Sequence, residues 1–116
     1  MIRSILGLTL VLGFSVSRAD ELPAKHLVAC FRSQDACHNT SVAYMSGLRQ
    51  GMYGVYDGQK EIPHNAQLAE CVVTRTNGDI IDRIVRDQSP TQRQDLAIFI
   101  AIYSLCTDEF KNAARH

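Results

Sequence analysis

Apolar residues recur every three or four positions through most of residues 20–107. That interval places them on one face of an α-helix, whereas a half-buried strand needs apolar and polar residues to alternate. The β-branched residues never form an alternating run long enough for a convincing strand. The pattern therefore predicts an all-α domain, a small disulfide-stapled bundle of about four helices.

The first two predicted helices meet at a polar corner. Residues 23–31 form the first helix, and residues 33–35 offer capping side chains for a second helix over residues 36–55. The apolar face of the first helix consists of Leu27, Val28 and Phe31.

Small residues mark one face of the second predicted helix. They are Ala43, Gly47, Gly51, Gly54 and Gly58. Each interior glycine costs about 0.8–1.0 kcal/mol of helix propensity, so we expect another backbone to approach this face closely. The alternative is that the helix ends or kinks at Gly51 or Gly54. We predict as helix-packing residues Tyr44, Gly47, Gly51 and Gly54, with further apolar walls from Met45, Leu48, Met52 and Tyr56.

Two more helices are predicted in the second half of the chain, after an irregular surface loop over residues 57–68. The third helix begins at Thr76 as N-cap, with Asp79 at the capping-box position. Its expected buried face consists of Ile80, Ile81, Ile84 and Val85. The fourth begins at Ser89, which is followed by Pro90, and runs to about Cys106.

The fourth helix is apolar on nearly all sides between Leu96 and Leu105, which predicts a central helix with the other three packed around it. Residues 108–116 read as a polar C-terminal tail.

The N-terminal segment has the layout of a secretory signal peptide. Arg3 precedes an apolar run over residues 5–14, and a small-x-small pattern ends at Ala19. The run is shorter than the roughly 20 apolar residues that span a bilayer. We expect cleavage of residues 1–19, secretion across the inner membrane to the periplasm, and no membrane anchor afterwards. The mature domain then comprises residues 20–107.

Four cysteines, an even number in a small exported chain, favour disulfides over free thiols or a metal. Cys30 and Cys37 would lie roughly 10.5 Å apart on one unbroken helix, beyond the limit of about 7 Å for a bridge. A break at residues 33–35 makes their pairing reasonable, which leaves Cys71 to pair with Cys106. Pairing of Cys30 with Cys71 or Cys106 stays open, because spacing does not reveal connectivity.

Charge and motifs point away from several classes of function. The chain has 12 basic and 12 acidic residues, and the basic ones are scattered singly, so nucleic acid is not an expected partner. The histidines are well separated, and no metal, nucleophile-elbow or phosphate-loop motif occurs. We expect no catalytic residue, metal or cofactor, and a binding protein rather than an enzyme.

The cysteines, one short motif and two helices follow each other along the chain in an order that resembles a known family. This order is Cys30, Cys37, Tyr44-Met45-Ser46-Gly47, Cys71, an isoleucine-rich helix with Ile80, Ile81 and Ile84, and an apolar helix ending in Cys106. Over residues 24–106 this order resembles the Rap/Tai family, small periplasmic helical immunity proteins that neutralise peptidoglycan amidase effectors of type VI secretion. The resemblance implies a homodimeric protein that occludes the amidase cleft with a loop or helix end.

Residues 57–65 are the first candidates for that contact, because binding residues concentrate on polar loops of a fixed scaffold. The candidate partner-binding residues are Asp57, Gln59, Lys60, Glu61, His64 and Asn65. The glycine face could instead serve a homodimer. Two alternative functions stay open: a periplasmic acid-stress chaperone of the HdeA type, whose members carry fewer cysteines, and an envelope assembly factor without an inhibitory role.

Overall fold

The computed structural model describes residues 20–114, and the predicted signal peptide over residues 1–19 lies outside them. The described residues form five α-helices with no strand among them, only an isolated bridge between Pro23 and Arg93. The all-α prediction is confirmed. The helices are α1 (Ala24–Arg32), α2 (Ala36–Gly58), α3 (Asn65–Thr74), α4 (Asn77–Asp87) and α5 (Gln94–Ala114).

The corner between α1 and α2 forms where the polar residues predicted it. Asp35 is the N-cap of α2, and its Oδ1 accepts hydrogen bonds from the Cys37 N–H (2.8 Å) and from Ser33 Oγ (2.6 Å). From there α2 continues without interruption through Gly51 and past the expected end at residue 55. The helix therefore neither ends nor kinks at its interior glycines.

The prediction of a loop over residues 57–68 was wrong, because only residues 59–64 separate α2 from α3. No side chain caps the start of α3, so its sequence carries little of the usual start signal. Burial holds it in place instead, through Leu68, Ala69, Cys71 and Val72. Packing against α2 and α5 thus adds a fifth helix to the expected four.

The start of α4 matches its prediction, since the Asp79 N–H donates to Thr76 Oγ1 at 3.0 Å. Ile80, Ile81 and Ile84 are buried, but Val85 is 51% exposed. Including Val85 in the buried face was therefore wrong.

The expected start of the last helix at Ser89 was also wrong, because α5 begins at Gln94. Residues 90–92 are bonded instead to the first turn of α1. The Ala24 N–H donates to Gln92 O (2.7 Å), and the Lys25 N–H donates to Pro90 O (3.1 Å). At its other end α5 extends to residue 114, so most of the predicted tail over residues 108–116 is helical.

The core is built around α5, which packs against each of the other four helices. Its buried residues include Ala97, Ile98, Ala101, Ile102 and Cys106. The helix is central but not enclosed, because Leu96, Ile100 and Tyr103 on its outer side are 45%, 43% and 53% exposed. The apolar pattern on nearly all sides of the helix therefore does not correspond to burial on all sides.

Both disulfides follow the pairing favoured from the sequence. Cys30 is bonded to Cys37 across the α1–α2 corner, with 4.9 Å between the Cα atoms. Cys71 of α3 is bonded to Cys106 of α5, with 5.8 Å between the Cα atoms. Two disulfides in so small a domain indicate an oxidising compartment. Among residues 20–114, no helix combines the length and the apolar character that a membrane crossing requires.

Candidate functional site

Residues 59–64, the α2–α3 turn, form a compact structure with its own hydrogen bonds. The Gln59 N–H donates to Tyr56 O (3.2 Å), and the Ile62 N–H donates to Gln59 O (3.0 Å). At its far end, the Asn65 N–H donates to Ile62 O (3.1 Å), and Asn65 Nδ2 donates back to Gln59 O (3.0 Å). These bonds join the two ends of the turn and hold its backbone in one shape.

His64 sets the direction in which the chain leaves the turn. Its φ of 73° lies in the left-handed region, which costs a non-glycine residue on the order of 1–3 kcal/mol. Local contacts accompany this conformation: the His64 Nδ1 lies 3.1 Å from Gln67 Oε1, and its ring centroid lies 5.0 Å from that of Phe110 on α5. The turn is therefore anchored to α5 as well as to α3.

The structure divides the predicted partner-binding residues into two groups. Gln59, His64 and Asn65 make the contacts that shape the turn. Asp57, in the last turn of α2, together with Lys60 and Glu61, is exposed.

Sequence reasoning missed Ile62, which is 46% exposed within the turn. An isoleucine inside an otherwise polar stretch, just before Pro63, was the available signal. The turn thus offers one apolar side chain beside two opposite charges, Lys60 and Glu61.

The glycine face of α2 does not pack as expected. A Cβ placed on any of four glycines would meet nothing within 4 Å; these are Gly47, Gly51, Gly54 and Gly58. No other backbone of the described chain approaches the face, so the prediction of close intrachain packing there was wrong. Tyr44, also predicted as a packing residue, is half-buried, and its hydroxyl donates to Asp20 Oδ1 at 2.7 Å.

A surface groove of about 350 Å³ runs between this face of α2 and α5. Its lining is Gly47, Leu48, Gly51, Met52, Val55, Tyr56 and Phe99. Burial raises the pKa of Tyr56, one of the lining residues. Tyr103 follows Phe99 by one helical turn on α5. We call the groove, together with the exposed side chains of Leu96, Ile100 and Tyr103, the α2–α5 face.

No group of three or more His, Cys, Asp and Glu residues in the described part of the chain is arranged to hold a metal. The nearest approach to such chemistry is His26, whose Nε2 lies 3.8 Å from Cys30 Sγ. That sulfur is committed to the disulfide with Cys37. The α2–α3 turn and the α2–α5 face are two accessible features of the described residues.

Together these features define a disulfide-bonded helical protein that presents a fixed turn and an apolar face. Comparisons with models of protein families, with curated proteins and with solved structures found no match. Function must therefore be inferred from the geometry of the turn and the face, together with the order of landmarks in the sequence.

Proposed function

We propose that the chain is a periplasmic immunity protein, which binds a peptidoglycan amidase effector of type VI secretion and occludes its cleft without catalysing a reaction. The observation that carries the proposal is the α2–α3 turn, whose ends are joined by hydrogen bonds while Ile62 stays exposed. A protein that blocks a cleft needs a small projecting element of this kind. The order of cysteines and Tyr44-Met45-Ser46-Gly47, similar to that of Rap/Tai proteins, supports the same function.

Pre-organisation makes the turn suitable for tight binding. Ordering a loop on association lowers affinity, and a turn already held by its own hydrogen bonds avoids much of that cost. Ile62 would fill an apolar pocket of the partner as the anchor, and Lys60 and Glu61 would contact its polar rim. The contact of His64 with Phe110 holds the turn against α5.

The disulfides and the N-terminal sequence support export. Cys30–Cys37 fixes the start of α2, and Cys71–Cys106 fixes α3, so bridges stabilise the helices on both sides of the turn. Residues 1–19 supply the expected signal for secretion to the periplasm. An inhibitor of a cell-wall amidase has to act in that compartment.

The α2–α5 face favours a second candidate function, that of an acid-stress chaperone. A chaperone needs an apolar surface for unfolded proteins, and the exposed Val55, Leu96 and Ile100 would provide one. The two functions differ in selectivity. A chaperone would suppress aggregation of unrelated proteins in acid, whereas an immunity protein would bind one enzyme near neutral pH.

Calorimetric titration tests the role of the turn. The titration requires an amidase-like protein encoded beside the gene for this chain, and absence of such a gene would count against the proposal. We expect Ile62→Asp to weaken binding by at least about 30-fold, the loss typical of an anchor residue. The matched control is Val73→Asp, because Val73 is 51% exposed on α3 and lies outside the turn. Equal affinity of both variants and the parent chain would contradict the assignment.

A further inference from the structure

We infer that a groove between α1 and α4 binds an acidic amphipathic helix of a partner protein. The groove has a volume of about 390 Å³, and we call it the α1–α4 groove. It shares no lining residue with the α2–α3 turn or with the groove of the α2–α5 face. The inference therefore goes beyond the proposed function and does not depend on it.

One wall of the groove is a strip along α1 with a basic residue at each end. Lys25, Val28, Ala29 and Arg32 all line the groove, and they stand at positions i, i+3, i+4 and i+7 of the helix. Residues at these intervals share one helix face. The two basic residues are separated by about 10.5 Å along the helix axis, with the two apolar residues between them.

The opposite wall, on α4, carries apolar area that the described fold leaves uncovered. Ile84 is 2% exposed and forms part of the core, whereas Val85, the next residue, is 51% exposed. Both residues line the groove. Covering Val85 from outside would remove further apolar surface from water, which is favourable.

The charge of the groove is one-sided. Its lining includes Lys25 and Arg32 but no acidic residue. Both basic side chains are exposed, and none of the ion pairs among the described residues involves either of them. The carboxylate of Asp87, near the end of α4, is paired instead with Arg83 (2.5 Å) and Arg86 (3.4 Å). The groove therefore complements a partner that is both apolar and anionic.

The surroundings of the groove favour a helix over an extended peptide. The backbone N–H and C=O groups of a bound extended segment need hydrogen-bond partners, as a sheet edge would supply. The described residues form no strand that could supply such an edge. A helix satisfies its own backbone groups and can pack between the side-chain ridges of two other helices.

The spacing of the basic residues also favours a helix with two acidic side chains. Carboxylates at positions i and i+7 of the bound helix lie about 10.5 Å apart along its axis, so they can reach Lys25 and Arg32 together. Apolar side chains at i+3 and i+4 then face Val28 and Val85. A fatty acid has a single carboxylate and can pair with only one of the two basic residues.

Both ends of α1 are fixed before any partner binds. The Lys25 N–H donates to Pro90 O (3.1 Å), which places Pro90 at one end of the groove. At the other end, the Cys30–Cys37 disulfide ties α1 to the start of α2, two residues before Arg32. A preformed groove avoids much of the ordering cost of association.

Fluorescence anisotropy with a helical probe tests the inference. The probe is a labelled, side-chain-stapled peptide with the pattern Glu-x-x-Leu-Leu-x-x-Glu, and the comparison peptide has lysine in place of both glutamates. The full chain is produced with its own N-terminal segment, and mass spectrometry identifies the N-terminus of the purified protein. We expect saturable binding of the acidic peptide that weakens as salt is added, and binding of the lysine peptide that is at least about 10-fold weaker.

Two variants locate the binding site, each with a matched control. Val85→Asp should weaken binding of the acidic peptide by about 10-fold or more, whereas Val73→Asp should not, although Val73 on α3 is also 51% exposed. The double variant Lys25→Glu with Arg32→Glu should weaken it to a similar extent, and Lys60→Glu in the α2–α3 turn should not. All these positions are exposed, so helical circular dichroism and the thermal midpoint should be retained.

Four results would overturn the inference. The first is no saturable binding of the acidic peptide up to about 1 mM, a concentration that corresponds to very weak affinity. The second is equally tight binding of the lysine peptide. The third is equal weakening by each test variant and its control. The fourth is binding of dodecanoate that Val85→Asp abolishes, without binding of the peptide, because the groove would then take a single-headed amphiphile.

Discussion

At the scale of single residues, the first turn of α2 depends on one carboxylate. Asp35 caps the helix, and the pKa of its carboxyl group is lowered, first by the hydrogen bond from Ser33 and then by the bond from the Cys37 N–H. The same turn carries the Cys37 end of the first disulfide. The cap and the disulfide therefore stabilise the same corner.

Replacement of Asp35 by alanine should lower stability in a pH-dependent way. Because the pKa of the folded state lies below that of the unfolded state, the stabilisation is complete above the unfolded value and is lost as pH falls through the folded value. Urea unfolding of the parent chain and of Asp35→Ala at neutral pH and in acid measures this. The stability difference between the proteins should shrink in acid, and a difference independent of pH would contradict the role of the charge.

At the scale of helices, Arg49 joins α2 to the corner between α3 and α4. Its Nε donates to Val72 O (2.9 Å), one terminal nitrogen donates to Asn77 Oδ1 (2.8 Å), and the other donates to Arg75 O. Burial lowers the pKa of the Arg49 guanidinium. One side chain thus satisfies two backbone carbonyls near the end of α3, where a helix lacks intrahelical partners.

Substitution of Arg49 by methionine should keep most of the packing and remove these bonds. We expect a loss of about 2 kcal/mol in the free energy of unfolding, because hydrogen bonds to a charged group contribute about 1.5–3 kcal/mol and Val72, which supplies one of the carbonyls, is fully buried. Chemical denaturation measures the loss. Arg86→Met, at a side chain that is 74% exposed, is the control and should change stability little.

Some helix boundaries are predictable from the sequence, and others are not. The caps at Asp35 and Thr76 were predictable, because capping is a local interaction between a side chain and backbone groups two or three positions away. The start of α5 was not, since residues 90–92 bond to the backbone around α1, far away in sequence. The helix α3 was missed for a related reason: it is held by burial and lacks a side-chain cap.

The candidate site was predictable to a similar extent. The polarity of residues 57–65 predicts a surface segment, but it does not predict that Ile62, an apolar residue within it, is exposed. The sequence shows the glycine stripe of α2. It does not show whether another part of the same chain packs against that stripe, because this depends on tertiary packing. Exposure of Val55 and Tyr103 becomes visible only in the folded protein.

At the scale of the whole molecule, the two disulfides contribute differently. Cys30–Cys37 closes a short loop with a sequence separation of 7, whereas Cys71–Cys106 has a separation of 35 and connects α3 to α5. Because the longer loop has more conformational freedom in the unfolded chain, its closure should stabilise the fold more.

Paired cysteine-to-alanine variants test this difference. Removal of Cys71–Cys106 should cost about 3–4 kcal/mol in unfolding free energy, and removal of Cys30–Cys37 about 2–3 kcal/mol, in the chain-entropy account. Urea unfolding of each double variant against the parent chain gives both values. A larger loss from the Cys30–Cys37 variant would show that the corner itself, rather than loop length, dominates.

The proposed block of an amidase by the α2–α3 turn can be measured as peptidoglycan hydrolysis. An amidase-like protein encoded beside the gene for this chain is titrated with the parent chain, with Ile62→Asp and with Val73→Asp. We predict that hydrolysis falls to background near one chain per enzyme with the parent chain and Val73→Asp, and persists with Ile62→Asp. Hydrolysis that stays unchanged at saturating parent chain would contradict the claim.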